Sequence, residues 1–277
     1  MRDNIFTDLA CEGATYQENL VSLSKNISVS RSDVANGEGE CCSFYTPALW
    51  SLDTEEFDCL SWEIAKEIQA MMHHATGRGS PCSVLVAGLG NGEMTSDALG
   101  PETVKKIAVT RHLMGGVLKV GAYSSNACEV SAVIPGVLAS TGIETAELLR
   151  GVALSVRPDV ILAVDSLAAR SPRRLARTVQ LSESGISPGS GIGNHRRALN
   201  RETLGIPVIA LGVPTVIHSA TLIRDALEQY QDKEIDLKRL GTAKGFFVTP
   251  KETDLLIRSA SALLAYAIDL ACTKGQE

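Results

Sequence analysis

Two short apolar runs, each leading to an aspartate, constrain the fold of this chain most strongly. The first is Ser83-Val-Leu-Val-Ala-Gly-Leu-Gly-Asn91, from which the chain continues to Asp97; the second is Val160-Ile-Leu-Ala-Val-Asp165. Short runs of Val, Leu and Ile bounded by turn residues are typical of strands buried on both faces of a parallel sheet. Ligands bind just beyond the carboxyl ends of such strands. We therefore expect both carboxylates at one edge of one sheet.

Helical patterns separate these runs and predict the fold class. Apolar residues recur near helical spacing over residues 55–75, 142–156 and 255–271, and residues 207–212 form another apolar run. Strands that alternate with helices build parallel sheets with helices on both faces. The chain is therefore expected to have an α/β fold, a three-layer αβα arrangement with a mostly parallel sheet.

The first 50 residues differ in composition from the rest, because they are polar and rich in Ser, Asn and Glu. Within them, residues 26–33 alternate apolar and polar side chains, which suits an edge strand or a hairpin arm. A chain of 277 residues is long enough for one large domain with a small addition. We predict a polar N-terminal elaboration over residues 1–50 and a single α/β catalytic domain over residues 51–277.

Charge, cysteine spacing and hydropathy exclude several function classes. The net charge of −6 gives no electrostatic reason to expect direct binding to nucleic acid. The seven cysteines lack Cys-x-x-Cys spacing, which suits reduced thiols in a cytoplasmic protein better than disulfides or a zinc site. The amino terminus lacks the apolar core of a signal peptide, and no run of about 18 apolar residues stands out as a membrane span. We therefore expect a soluble cytoplasmic protein without a membrane partner.

Asp97 and Asp165 are the candidate catalytic residues, and each has a competing interpretation. Asp97 stands just before a predicted helix, so it is also placed to cap that helix. Asp165 closes an apolar strand, where an unpaired carboxylate is costly; its rival role is ribose or metal binding. Two carboxylates at one edge can share a proton, one acting as base and the other as acid. Because no His, Cys or Glu cluster has metal-ligand spacing, we expect catalysis without a metal or other cofactor.

Two further signals near these aspartates are weak. Gly88-Leu-Gly90-Asn91 begins like a dinucleotide-binding fingerprint, but Glu93 stands where the third glycine is required. His218 follows the apolar run of residues 207–212, and we expect it in a loop, facing solvent or hydrogen-bonded.

A glycine-rich segment over residues 182–194 follows the second apolar run. Long loops inside compact α/β domains are either plain surface or functional, as lids and substrate clamps. We expect backbone amides of this loop to hold an extended peptide, and nearby arginines to pair with acidic substrate side chains. The residues assigned to substrate binding are Asn91, Arg170, Ser184, Gly189 and Gly191.

Several longer motifs occur in a fixed order along residues 80–270. They are Gly88-Leu-Gly-Asn91, Thr95-Ser-Asp-Ala-Leu-Gly-Pro101, Val109-Thr-Arg-His-Leu113, Thr141-Gly-Ile-Glu-Thr145, Asp165-Ser-Leu-Ala-Ala-Arg170, residues 182–194, residues 205–216 and Val248-Thr-Pro-Lys-Glu252. Together they strongly resemble the germination protease family of spore-forming bacteria.

This resemblance implies an endopeptidase, an atypical aspartic peptidase with Asp97 and Asp165 as its catalytic pair. It implies that the substrates are small acid-soluble spore proteins, degraded during germination, and that the enzyme is a zymogen and a homotetramer in the cytoplasm of the forespore and spore interior. The family's fold resembles that of hydrogenase maturation proteases. The alternative functions are therefore a hydrogenase-maturation-like endopeptidase and a non-catalytic α/β peptide-binding module.

The amino terminus and one connection also bear on the resemblance. Phe6-Thr-Asp-Leu-Ala10 resembles the family's self-processing site, which implies cleavage between Phe6 and Thr7 and release of residues 1–6. The connection over residues 221–247 is shorter than in familiar members of the family. This departure concerns assembly and activation more than the chemistry.

Overall fold

A nine-stranded sheet with helices packed against it forms the computed structural model, which describes residues 19–33, 39–77, 82–114, 127–189, 196–228 and 246–273. The strands are β1 (Val21–Ser22), β2 (Ser28–Asp33), β3 (Glu40–Tyr45), β4 (Ser83–Gly88), β5 (Glu129–Val133), β6 (Val160–Ala169), β7 (Thr178–Ser182), β8 (Val208–His218) and β9 (Phe247–Val248). The α-helices are α1 (Thr54–Thr76), α2 (Leu99–Val104), α3 (Arg111–Met114), α4 (Leu138–Thr141), α5 (Thr145–Val156), α6 (Arg201–Leu204), α7 (Ser219–Glu228) and α8 (Thr253–Thr273). Short 3-10 turns cover Leu49–Ser51 and Thr95–Asp97.

The sheet divides into two halves of different character. Its strand order is β1-β2-β3-β7-β8-β6-β4-β5, and β9 pairs with the end of β8. Strands β8, β6, β4 and β5 are parallel to one another and form the parallel half. Strands β1, β2, β3 and β7 pair antiparallel and form the antiparallel half. The sheet is therefore mixed, and the prediction of a mostly parallel sheet holds only for the parallel half.

The difference follows from how the strands are connected. Parallel neighbours need a crossover, usually through a helix, and helices do separate the strands of the parallel half along the chain. The alternating segment predicted as a hairpin arm forms β2, which pairs antiparallel with β3 and confirms that prediction. Strand β7 was not predicted. The predicted boundary at residue 50 stays a prediction, although β1 to β3 belong to the same sheet as the rest.

Buried side chains cover both faces of the parallel half. Along β4, Val84 and Val86 belong to the core cluster that includes α1 and α8, whereas Leu85 and Ala87 belong to the cluster that includes α5. This alternation follows from the period of two in a strand. A strand with apolar residues on both faces is stable only when helices cover both, and this explains the continuous apolar runs in the sequence.

Helix α1 matches the helix predicted over residues 55–75 and has clear signals at both ends. The Asp53 carboxylate accepts a hydrogen bond from the Glu56 N–H at 2.8 Å, and the Glu56 carboxylate accepts one from the Asp53 N–H at 3.2 Å. This reciprocal capping box satisfies two backbone donors at the helix start. Gly77 ends the helix in the left-handed conformation, with φ of 64°.

Helix α8 corrects the expectation that no segment is apolar and long enough to span a membrane. Its best 18-residue window has a mean hydropathy of 1.6, which meets that requirement by length and composition. In the fold, 61% of that window is buried inside the protein. Leu256, Leu263 and Ile268 are fully buried in the cluster shared with α1. The apolar character of α8 thus has an explanation in core packing.

Strands β6 and β8 are longer than predicted, and this places the site. The sequence predicts that the strands end at Asp165 and Gly212, but they continue to Ala169 and His218. Strand β4 pairs with β6 only as far as Val164, so the last part of β6 extends beyond β4. The predicted ends were wrong because Gly212 and the following proline are turn residues in most contexts. Here they lie inside a strand that contains a bulge.

Candidate active site

Asp97 lies in the connection between β4 and α2, on a turn that folds back toward the strand. The Leu89 N–H donates to the Val164 carbonyl at 2.8 Å, which holds the start of the connection against the middle of β6. Gly90 follows with φ of +103°, and a Cβ there would lie only 2.1 Å from the carbonyl oxygen of Asp97. Only glycine satisfies both the positive φ and the close approach. The Asn91 N–H then donates to Asp97 Oδ2 at 2.8 Å.

The carboxylate of Asp97 does not cap a helix. Helix α2 begins at Leu99, its N-cap is Ala98, and no side chain makes a capping hydrogen bond there. The alternative interpretation of Asp97 as an N-cap is therefore wrong. Burial raises the pKa of the Asp97 carboxyl above its usual range, although the Asn91 N–H and the positive charge of Arg196 act in the opposite direction. Desolvation of a carboxylate favours its protonated form.

Helix α2 presses directly against the ends of two strands. A Cβ on Gly100 would lie 2.4 Å from the Leu89 N and O atoms and 2.4 Å from the Val164 O atom. No side chain fits in that space, so the helix backbone touches the strand backbones. This contact fixes the direction in which the β4–α2 connection leaves the sheet. It therefore fixes the turn that carries Asp97.

Asp165 lies inside β6 rather than at its end, and its residue surface is only 5% exposed. On the β8 side its register partner is Gly212. The Ser166 N–H donates to Asp165 Oδ1 at 2.9 Å. A buried carboxylate with a hydrogen bond from its own backbone neighbour is held in a defined orientation, which suits a reacting group.

Both aspartates line one cleft of about 200 Å³ at the carboxyl edge of the parallel half. The cleft lies beyond the ends of β4 and β5 and beside the part of β6 that extends past them. Its walls are mainly apolar, from Met94, Val137, Val216 and Phe247. Both aspartates thus lie at one edge of the sheet as expected, although Asp165 lies inside β6 and Asp97 in the connection after β4; their catalytic roles stay a prediction. A narrow apolar cleft with two carboxylates can bind an extended peptide and transfer protons within it.

Comparison with known proteins identifies the family of this chain. The model of the germination protease family matches residues 15–242, most of the chain. The chain belongs to the germination protease family. Germination proteases named as such include that of Clostridium perfringens strain 13, which is 34% identical over 97% of this chain and 95% of its own length. Those of Caldanaerobacter subterraneus and Priestia megaterium are 38% and 44% identical, over 86% and 70% of this chain and 79% and 52% of their own lengths.

Membership in the germination protease family makes this chain a peptidase, a hydrolase whose substrate is a protein. It supports an endopeptidase of spore germination. The relation of the fold to hydrogenase maturation proteases stays a prediction.

The structure brings only some of the predicted substrate-binding residues of this germination protease to the cleft. Gly189 lines it. Asn91, Arg170 and Ser184 are not among the described residues that do; Asn91 reaches Asp97 through its backbone, and the Ser184 hydroxyl lies 2.8 Å from that of Ser182. The predictions for Gly191, Phe6 and Thr7 lie outside the described residues.

Three residues of the cleft were not predicted from the sequence. Arg196 lies in the cleft wall and its charge acts on Asp97. The Ser166 hydroxyl is buried, and it has no hydrogen-bond partner among the described residues. Thr215 is fully buried, and its hydroxyl donates to the Ser96 carbonyl at 2.7 Å. A usable signal for Thr215 is Pro214 inside an apolar run, since proline within a strand marks an edge or a bulge.

The position of His218 differs from the one that the sequence predicts. His218 ends β8 and is buried, with its ring centroid 5.2 Å from that of Phe247 and Nδ1 accepting from the Ala220 N–H at 3.2 Å. Its predicted place in a loop is therefore wrong, whereas the predicted hydrogen bond is present.

Among the described residues, no group of three or more His, Cys, Asp or Glu residues is arranged to hold a metal ion. Catalysis without a metal stays a prediction.

Proposed function

We propose that this chain is an endopeptidase that initiates the degradation of small acid-soluble spore proteins during germination, using Asp97 and Asp165 to activate a water molecule. The observation that carries the proposal is that both carboxylates, Asp97 from the connection after β4 and Asp165 from within β6, line the same cleft. Membership in the germination protease family supports the substrate class.

The two aspartates have different surroundings, and we assign them different roles. Burial raises the pKa of the Asp97 carboxyl, which favours its protonated form, and we assign Asp97 the role of the acid that donates a proton to the nitrogen of the departing amine. Asp165 acts as the base that takes a proton from water while the oxygen adds to the scissile carbonyl carbon. The carbon–nitrogen bond then breaks, leaving a carboxylic acid and an amine. The Ser166 N–H holds Asp165 in position for the first step.

The walls of the cleft suit a peptide in extended form. The substrate backbone lies beside the part of β6 that extends beyond β4, with its apolar side chains against Val137, Val216 and Phe247. Arg196 is the cation in the described cleft wall, and it faces an acidic substrate side chain. Arg196 thus has the role predicted for Arg170, which is to pair with an acidic side chain of the substrate. Gly189 keeps its predicted contact with the substrate.

Activation, assembly and location belong to the same proposal. We propose a zymogen that is cleaved between Phe6 and Thr7, a homotetramer, and action in the cytoplasm of the forespore and spore interior. The resemblance of Phe6-Thr-Asp-Leu-Ala10 to a self-processing site supports the first of these. An intact-mass measurement before and after activation tests it, since loss of residues 1–6 is the expected change.

Replacing each aspartate tests the chemistry directly. Asp97→Asn and Asp165→Asn should each lower kcat for a purified small acid-soluble spore protein by about 10²- to 10⁴-fold, the usual contribution of a general acid or base. Mass spectrometry of the products follows cleavage, and circular dichroism checks the fold.

Asp269→Asn is the matched control. Asp269 is also a partly buried carboxyl with a raised pKa and one backbone hydrogen bond, from the Ala108 N–H at 2.9 Å, but it lies outside the cleft. It should keep normal turnover. Near-normal cleavage by Asp97→Asn, or an equal loss in Asp269→Asn, would reject the assignment.

A further inference from the structure

Thr215 occupies an unusual position in β8. Leu167 pairs with Pro214, and the next residue of β6, Ala168, pairs with Val216. Thr215 is therefore the extra residue of a β-bulge, opposite no residue of β6. Bulges redirect side chains and often lie beside active sites. Here the bulge turns a fully buried threonine toward the cleft.

The hydroxyl of Thr215 holds the turn that carries Asp97. It donates to the Ser96 carbonyl at 2.7 Å, and Ser96 directly precedes Asp97. The two ends of this connection are anchored elsewhere: the Leu89 N–H donates to the Val164 carbonyl of β6, and Gly100 packs against the backbones of Leu89 and Val164. Between these anchors, the Asp97 N–H donates to Met94, the Ala98 N–H to Thr95, and the Asn91 N–H to the Asp97 carboxylate. These local bonds shape the turn but do not tie its middle to the sheet. The bond from Thr215 ties it to a strand.

The same strand also positions the second aspartate. Asp165 pairs with Gly212 of β8, three positions before Thr215 in the sequence. Strand β8 therefore contacts Asp165 through the sheet register, and it contacts Ser96, the residue before Asp97, through the Thr215 hydroxyl. Catalytic groups lose activity when they are displaced by about 1 Å, even if the fold is intact.

We propose that Thr215 is a positioning residue, which sets the placement of Asp97 relative to Asp165 by holding the Ser96 carbonyl against β8. This inference rests on the proposed function of the two aspartates. It assigns no contact between Thr215 and the substrate. Its effect acts through Asp97.

Two substitutions at Thr215 separate the hydroxyl from the packing. Thr215→Val keeps the shape but removes the donor, and it should lower kcat by about 10- to 100-fold with little change in KM. It should also shift the pH profile of kcat, because the carboxyl of Asp97 moves relative to its neighbours. Thr215→Ser keeps the donor and should restore kcat and the pH profile to near the wild-type values.

Thr110→Val controls for the loss of a buried threonine. Thr110 is buried, and its hydroxyl donates to the Cys128 carbonyl at 3.1 Å and accepts from the Val130 N–H at 2.9 Å, at the amino end of β5. This variant should lose stability without losing kcat. Wild-type kcat and pH profile in Thr215→Val, equal defects in Thr215→Val and Thr215→Ser, or an equal loss of kcat in Thr110→Val would each overturn the inference.

A measurement independent of turnover distinguishes failure of this inference from failure of the proposed function. Carbon-13 NMR of labelled aspartate carboxyls follows the titration of Asp97 in each variant. A pKa of Asp97 that changes in Thr215→Val and returns in Thr215→Ser supports the positioning role even if wild-type protein cleaves no spore protein. An Asp97 titration that is the same in all three proteins contradicts it, even if wild-type protein is an active protease.

Discussion

The two halves of the sheet contribute very differently to the cleft. The parallel half supplies Asp165 and Thr215 from within its strands and Asp97 from the connection after β4. No residue of strands β1, β2, β3 or β7 is among the described residues that line the cleft. The antiparallel half instead extends the buried core, with Phe44 of β3 fully covered. The candidate site thus lies at the carboxyl edge of the parallel strands, and the antiparallel strands add hydrophobic burial.

Several unfavourable local features of the parallel half lie together at the cleft. Gly90 has a positive φ in close contact with Asp97, Asp97 is desolvated, and Ser166 has a buried hydroxyl without a described partner. Active sites often hold such features at a cost in stability. Buried hydroxyls without a described partner also occur in the antiparallel half, at Ser43 of β3 and Thr178 of β7, so this feature alone does not mark a site.

The largest expected effect is that of Gly90→Ala. A Cβ at Gly90 would lie 2.1 Å from a backbone oxygen at φ of +103°, so the turn must move. We expect a loss of about 3 kcal/mol in the free energy of unfolding, at the upper end of common single substitutions, and loss of activity. Gly142→Ala has a similar positive φ of +69° but nothing within 4 Å, and should cost only about 1–2 kcal/mol with normal activity. Urea unfolding and an activity assay compare them; equal effects at both glycines would contradict the close-contact argument.

Asp97→Asn should stabilise the protein while it removes activity. The pKa of the Asp97 carboxyl is higher in the folded than in the unfolded state. Its contribution to the free energy of unfolding is therefore fully present below the unfolded-state pKa and is lost as the pH rises through the folded-state pKa. The variant should therefore have a higher Tm than the wild type at neutral pH, and the difference should vanish at pH values below the usual range of aspartate. Thermal unfolding across pH measures this. A lower Tm for the variant at pH 7 would show that the carboxylate is not the costly group.

The smallest expected effect compares two serines, one in each half. Ser43→Ala and Ser166→Ala each remove a buried hydroxyl without a described partner, so each should leave stability unchanged or slightly raise it. Of the two, only Ser166 is among the described residues that line the cleft, and we expect its hydroxyl to bind the substrate or water there. Ser166→Ala should lower kcat/KM by about 2- to 10-fold, the value of one hydrogen bond, and Ser43→Ala should not. Equal activity of both variants would remove Ser166 from the site.

Much of the parallel half could be predicted because its signals are local. The apolar run of β4, the helical spacing of α1 and the alternation in β2 each depend on residues close in sequence. Strand β7 was missed because its polar residues, such as Gln180, become buried only through pairing with β3 and β8. The full length of β8 was missed because Gly212 and Pro214 are turn residues in isolation, and only the bulge accommodates them.

The candidate site shows the same division. The positions of Asp97 and Asp165 follow from the rule that strand ends gather ligands, so sequence places them at one edge. The bond from Thr215 to Ser96 joins residues 119 positions apart, and the charge of Arg196 acts on Asp97 across the fold. No local pattern encodes such contacts. They depend on how the strands and their connections are finally arranged.

The residues that line the cleft are spread over the sequence from Leu89 to Phe247. A chain emerging from the ribosome therefore lacks part of this wall until β9 is available to pair with β8. Pairings between residues far apart in sequence must first close long loops, which slows their formation. The complete cleft thus requires almost the whole of the described chain to be folded.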